Sequence, residues 1–337
     1  MQRKTLICPA GLPFVGATVG TGLGVQVGTS LGKLASILPI SGLFMTDSSS
    51  AASFDALKSL KKSPRMPVLF VGHGSPMNAI EDNEYSRSWK VLGKEFAGHA
   101  GSGAAAKYPK PQLVMCVSAH WVTRGWHLTA MAKPKTIHDF GGFPPELFAQ
   151  TYPAPGFPEA AREISAGVMQ PGAIQPLGLD QSEWGLDHGT WSVLKPMFPA
   201  ADVPVMQLSM DYNRPMVEHF AIGQQLQKLR DHGVLIVGSG NIVHNLRAMR
   251  PGTASSQAYD WAMEFDKTTA GWIDSGNLAK LQDFQKMGQV AQMAHPSYEH
   301  YLPLLYSAGA VLPGEAVRSF NTDYQMAAIS MRSVVWG

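Results

Sequence analysis

A chain of 337 residues, set against a usual domain size of roughly 100–200 residues, holds one large domain or two modest ones with a substantial core. Charged residues make up 15% and hydrophobic residues 45%, which excludes a disordered chain, and a net charge of +2 excludes the basic stripe that a nucleic-acid backbone requires. Two cysteines, Cys8 and Cys116, support neither a disulfide framework nor a zinc knuckle.

Residues 1–65 read as a leader or linker without a fold of its own. Between Lys4 and Asp47 the only charge is Lys33, and glycines interrupt the apolar stretch too often for a membrane-spanning helix. The alternative is an atypical export signal, with Arg3-Lys4 ahead of the apolar part; otherwise the expected compartment is cytoplasmic. From residue 66 to 337 the chain reads as one catalytic domain. Strand-like runs fall at 67–72, 112–119, 127–132, 203–210 and 234–240, and helical stretches at about 83–97, 157–169, 188–197, 214–231, 259–273 and 299–309. Apolar runs alternating with helices predict an α/β fold, a single domain with a central mixed β-sheet flanked by helices on both faces. An Ala/Gly-rich insertion lies around 97–107.

Ligands of α/β sheets bind where strands end, and three histidines fall there: His73 after PVLFVG, His120 after QLVMCVSA, and His244 after VLIVGSG. His188 opens one helix and His300 another. Their spacing matches no contiguous metal motif such as HExxH, so any site they form is assembled by the fold. His99, His127, His219 and His232 read as ordinary surface or core residues, the last two facing solvent. Ser239 in GSGN lacks the flanking spacing of a nucleophile elbow, and Cys116 reads as a core residue.

The segments GHGSPMNAIEDN, SAHWVTRG, TIHDFGGFPPELF, WGLDHGTWSVL, GSGNIVHNLR and PSYEHYLPLLYSAGA occur in this order. Together they resemble the class III extradiol ring-cleaving dioxygenases, in particular the 4,5-DOPA extradiol dioxygenase branch. The resemblance runs from about residue 66 to the C-terminus. It implies that His73, His120 and His300 bind a non-haem metal, Fe(II) in active members, with Zn(II) as an occupant of isolated protein. It makes His244 the catalytic acid/base, or a fourth ligand in a resting form, and His188 a second catalytic and substrate-contacting residue. His138 and Asp139 fall in a loop near the substrate, and His295 is the second choice for the third ligand.

The implied activity inserts both atoms of O2 into a catecholic, DOPA-like ring to give a muconic semialdehyde-type product. Expected partners are that small aromatic substrate and O2, with no nucleic acid and no membrane span. Trp121, Phe140, Phe143 and Trp184 are candidates to wall a flat pocket, though each is equally an ordinary core residue. A three-histidine site with an open position also suits a zinc hydrolase or a non-catalytic metal-binding protein.

Overall fold

Four of the five strand-like runs become adjacent parallel strands of one sheet. The computed structural model describes residues 57–98, 106–173 and 175–337. Its main sheet contains β1 (Val68–Gly72), β2 (Leu113–Ser118), β3 (Val205–Gln207), β4 (Val234–Gly240), β5 (Val317–Phe320) and β6 (Ser333–Trp336). They lie in the order β3-β2-β4-β1-β6-β5. The first four run parallel, and β6 and β5 add antiparallel at one edge, so the sheet is mixed as expected.

Side chains alternate strictly between two cores, as a strand covered on both faces requires. Val68 and Phe70 of β1 join Val234 and Ile236 of β4 on one face, while Leu69, Val71, Leu235 and Val237 serve the other. On the second face, α1 (Glu84–Lys94) and α3 (His188–Met197) contribute Trp89, Leu92, Trp191 and Leu194. On the first, α2 (Pro158–Gly167), α4 (Met216–Leu226), α5 (Asp260–Asp274) and α6 (Leu302–Gly309) contribute Ile164, Ile222, Phe265 and Leu304.

Three details depart from the expected elements. The run at 127–132 supplies only His127–Thr129, which pairs with Gly178–Asp180 outside the main sheet. Thr129 takes the backbone N–H of Gln207 on its hydroxyl at 2.9 Å, on the outer side of the edge strand β3. The helix expected from 299 starts at Leu302, leaving His300 in the turn before it. The stretch 214–231 ends its α-helix at Leu226 and continues as a 3-10 segment, Gln227–His232.

The leader lies outside the described residues up to position 56, as does most of the Ala/Gly-rich insertion. Residues 57–65 are held against the domain: Leu60 is buried in the first core, Ser59 bonds Glu163, and Arg65 pairs with Asp231 at 2.8 Å. Just beyond, the fully buried Arg230 donates to the carbonyls of Met66 and Ala310 and to both oxygens of Glu315. Among the described residues no helix is long and apolar enough to cross a membrane.

Candidate metal centre

Because β2, β4 and β1 are parallel neighbours, their carboxyl ends share one edge of the sheet. His73 follows β1 and His120 follows β2, one on each side of β4. The ladders continue past the strands: His73 N–H donates to Gly240 O and Ala119 N–H to Ser239 O, each at 3.0 Å. Both histidines are thereby fixed in height relative to the end of β4.

His300 reaches the same place from the turn before α6, and its carbonyl accepts the N–H of Asn241 at 2.9 Å. That approach requires glycine at 240, since a Cβ there would overlap the His300 carbonyl. Gly238 does the same for α6, where a Cβ would meet the Pro303 carbonyl and the Ser307 hydroxyl.

The three rings form a nearly equilateral triangle. Centroids are 5.2 Å apart for His73 and His120, 5.3 Å for His73 and His300, and 5.0 Å for His120 and His300. One ligand nitrogen from each lies within 4.8 Å of the others. Nε2 of His73 and Nε2 of His120 are 3.3 Å apart, which places both lone-pair positions in the same small space.

Each ring presents its other nitrogen to an acceptor. Ser239 gives its single hydroxyl hydrogen to the Gly189 carbonyl, so at His73 it accepts, and Nδ1 of His73 is the donor at 3.0 Å. His120 Nδ1 lies 3.2 Å from Asp139 Oδ2, and His300 Nδ1 lies 3.1 Å from Glu299 Oε1. Burial, reinforced by the neighbouring imidazoles, holds His73 and His120 well below the usual histidine range and pushes His300 down to about 3. All three are neutral near pH 7, the form in which imidazole binds a metal.

His244 and His188 flank the triangle. His244 stacks on His300, and burial together with His300 holds it well below the usual range. His188 lies 3.9 Å from the His120 ring, at the first position of α3. That helix is capped by the buried Asp187, whose carboxylate also accepts from Ser118, Gln207 and Thr190 N–H. Burial and the charge of Asp139 raise Asp187 to about 6, against the opposing bonds from Gln207 and Ser118. At Asp139 burial is opposed and outweighed by contacts with His188 and His120, and the carboxyl sits well below its usual range.

Other sequence candidates fall elsewhere. His138 donates through Nε2 to the Gln150 carbonyl at 2.9 Å and packs on Phe140, whose ring is 5.4 Å from His188. His295 donates Nε2–H to the Ile242 carbonyl at 2.6 Å and does not join the triangle. His219, expected at the surface, is fully buried, bonded to Tyr306 Oη and to the Arg214 carbonyl. Trp121 and Trp184 stack with planes 6° apart, and Phe143 packs on Phe140. Sequence reasoning missed Ser239, Asp187 and Glu299 as partners of the cluster. Each adjoins a motif histidine or strand end, but nothing in a sequence shows which acceptor a ring nitrogen will meet.

Comparison with known proteins bears on the same residues. Residues 67–333 match the family described as the catalytic LigB subunit of aromatic ring-opening dioxygenase. The chain is 42% identical over 284 residues to a 4,5-DOPA dioxygenase extradiol of Escherichia coli (strain K12), covering 82% of this chain and 97% of that protein. A 4,5-DOPA dioxygenase extradiol of Beta vulgaris is 34% identical over 249 residues, covering 72% of this chain and 86% of the relative. The crystal structure of an uncharacterized Escherichia coli K12 protein aligns with a TM-score of 0.64 at 38% identity, over 81% of this chain and all of the other.

Proposed function

The chain belongs to the LigB family of aromatic ring-opening dioxygenases, and from that premise we propose that it is a metal-dependent extradiol dioxygenase acting on a catecholic, DOPA-like substrate. Both atoms of O2 enter the ring, which opens beside the diol to give a muconic semialdehyde-type product. The observation that carries the reading is the triangle of His73, His120 and His300, three neutral imidazoles each with Nδ1 directed at an acceptor. That donor set fits a divalent cation on one face and leaves the opposite face for substrate.

In this reading the three histidines hold Fe(II) in the active enzyme, with Zn(II) as the occupant of isolated protein. The bound metal supplies coordination of the diol oxygens and the redox chemistry that lets O2 react with an aromatic ring. Because the imidazoles carry no charge, the site stays cationic and favours an anionic catecholate. A phenol pKa of about 10 means the second proton needs a base at neutral pH.

His244 is that base. It is neutral near pH 7, its plane is set by the stack on His300, and once protonated it can return the proton to the opened product. His188 contacts substrate from the opposite flank, beside His120. Phe140, edge-on to His188, supplies a flat apolar wall that fits an aromatic ring and limits water.

The test is anaerobic loading with Fe(II) followed by exposure of a catechol panel to air. A yellow ring-opened product with DOPA-like catechols supports the proposal; metal-loaded protein that leaves every catechol intact while hydrolysing esters or amides refutes it.

A further inference from the structure

Asp139 sets one carboxylate against two histidines from different parts of the sheet edge. Its Oδ2 lies 3.2 Å from Nδ1 of His120. Its Oδ1 accepts the backbone N–H of His188 at 2.9 Å and lies 3.0 Å from Nδ1 of that ring, off the line of a hydrogen bond. The residue is at the surface through its backbone, yet its side chain is only 17% exposed, so the carboxylate is turned inward. An ionised carboxylate only accepts. The negative charge 3.2 Å from Nδ1 of His120 favours the tautomer with its hydrogen there, which leaves the lone pair on Nε2, the atom 3.3 Å from Nε2 of His73.

We propose that Asp139 is a positioning residue: it fixes His120 as the Nδ1–H tautomer and ties it to the first turn of α3, so metal affinity depends on a carboxylate that is not itself a ligand. The inference rests on the metal-centre reading above and goes beyond it by giving Asp139 a role towards the metal instead of the substrate. It also links the two flanks of the site, since the same carboxylate orders the backbone that carries His188.

Asparagine at 139 separates this role from packing, because it keeps the shape and changes the hydrogen-bond sense. With its oxygen on the His188 N–H, its amide donates towards His120 Nδ1, and that ring must move its hydrogen to Nε2, where it blocks the lone pair. With the amide reversed, its NH2 group opposes the His188 N–H, donor against donor. Neither orientation reproduces the carboxylate.

The experiment uses the full chain and Zn(II), a redox-silent probe, titrated against a competing chelator. His73→Ala and Asp139→Asn are measured beside the unaltered protein. The expected result is a loss of about 10–100-fold in Zn(II) affinity for Asp139→Asn. Nitrogen-15 spectra of the Zn(II)-saturated proteins should also show a His120 Nδ1–H held by an acceptor in the unaltered chain and not in the variant. Loss in His73→Ala with unchanged affinity in Asp139→Asn overturns the inference while leaving the metal reading intact. Unchanged affinity in both overturns the metal reading and this inference with it. Two Zn(II) per unaltered chain, one of them lost in Asp139→Asn, would make Asp139 a ligand and likewise overturn it.

Discussion

The imidazoles of His244 and His300 lie face to face, with centroids 3.4 Å apart and planes 8° from parallel. His300 belongs to the triangle with His73 and His120, and His244 falls with Glu299 and His300 in a second group of possible ligand atoms, so the contact places a titratable group directly beside the candidate metal centre.

Replacing His244 with Phe keeps a flat ring on His300 and removes the nitrogen base at that position. Turnover should fall by about 10²–10⁴-fold, the usual contribution of a general acid–base group, while metal content stays stoichiometric. Iron content and steady-state rate measured on the same sample check this. A metal-free variant would make His244 a ligand, and a near-normal rate would remove it from the mechanism.

Gly240→Ala tests how His300 is delivered. An added methyl group meets the His300 carbonyl, so the turn before α6 must shift, at a cost of about 1–3 kcal/mol in stability. The expected outcome is a lower unfolding midpoint together with weaker Zn(II) binding. Tight binding with an unchanged midpoint would show that the turn has room to spare.

A pH dependence of stability follows from His219. Burial lowers its pKa from 6.5 to about 4, so below 6.5 the unfolded chain takes up a proton that the folded chain refuses. Stability should hold above pH 6.5 and decline between 6.5 and 4, by roughly 3 kcal/mol from this group alone. Urea midpoints of the metal-free protein across that range, compared with His219→Gln, should show a shallower decline in the variant. Equal slopes would exclude His219 as a source.

Truncation addresses the N-terminal segment, which we propose carries no catalytic group, since all eleven histidines lie beyond residue 65. A chain beginning at Leu57 should turn over normally. One beginning at Met66 loses the burial of Leu60 and the bonds from Ser59 and Arg65, and should be less stable by about 2–3 kcal/mol with an unchanged rate per folded molecule. Inactivity of the soluble Leu57 chain would place part of the site before residue 57.

The parallel strands and most helices were legible because their burial pattern is periodic: β1, β2 and β4 are apolar on both faces, and the helices between them show helical spacing. The strand ends exposed the positions of His73, His120 and His244 for the same reason. β5 and β6 escaped notice because VRSF is half-buried at an edge and SVVW is only four residues long. His219 was misread because a polar residue beside Glu218 looks solvated in sequence, whereas Tyr306 and the Arg214 carbonyl satisfy both its nitrogens inside the core. The partners Ser239, Asp139 and Glu299 depend on side-chain direction at a few degrees, which no spacing encodes. Asp139 itself was picked out, but for the substrate, because a loop motif shows proximity and not which ring its carboxylate meets.

The most direct test of the central claim is oxygen stoichiometry. Protein loaded anaerobically with Fe(II), mixed with DOPA in an oxygen electrode, should consume one O2 per ring opened, and His73→Ala, His120→Ala and His300→Ala should each abolish both the uptake and the stoichiometric metal. Ring opening that proceeds at the normal rate in any of those three variants, or product formed without O2 uptake, would contradict the account.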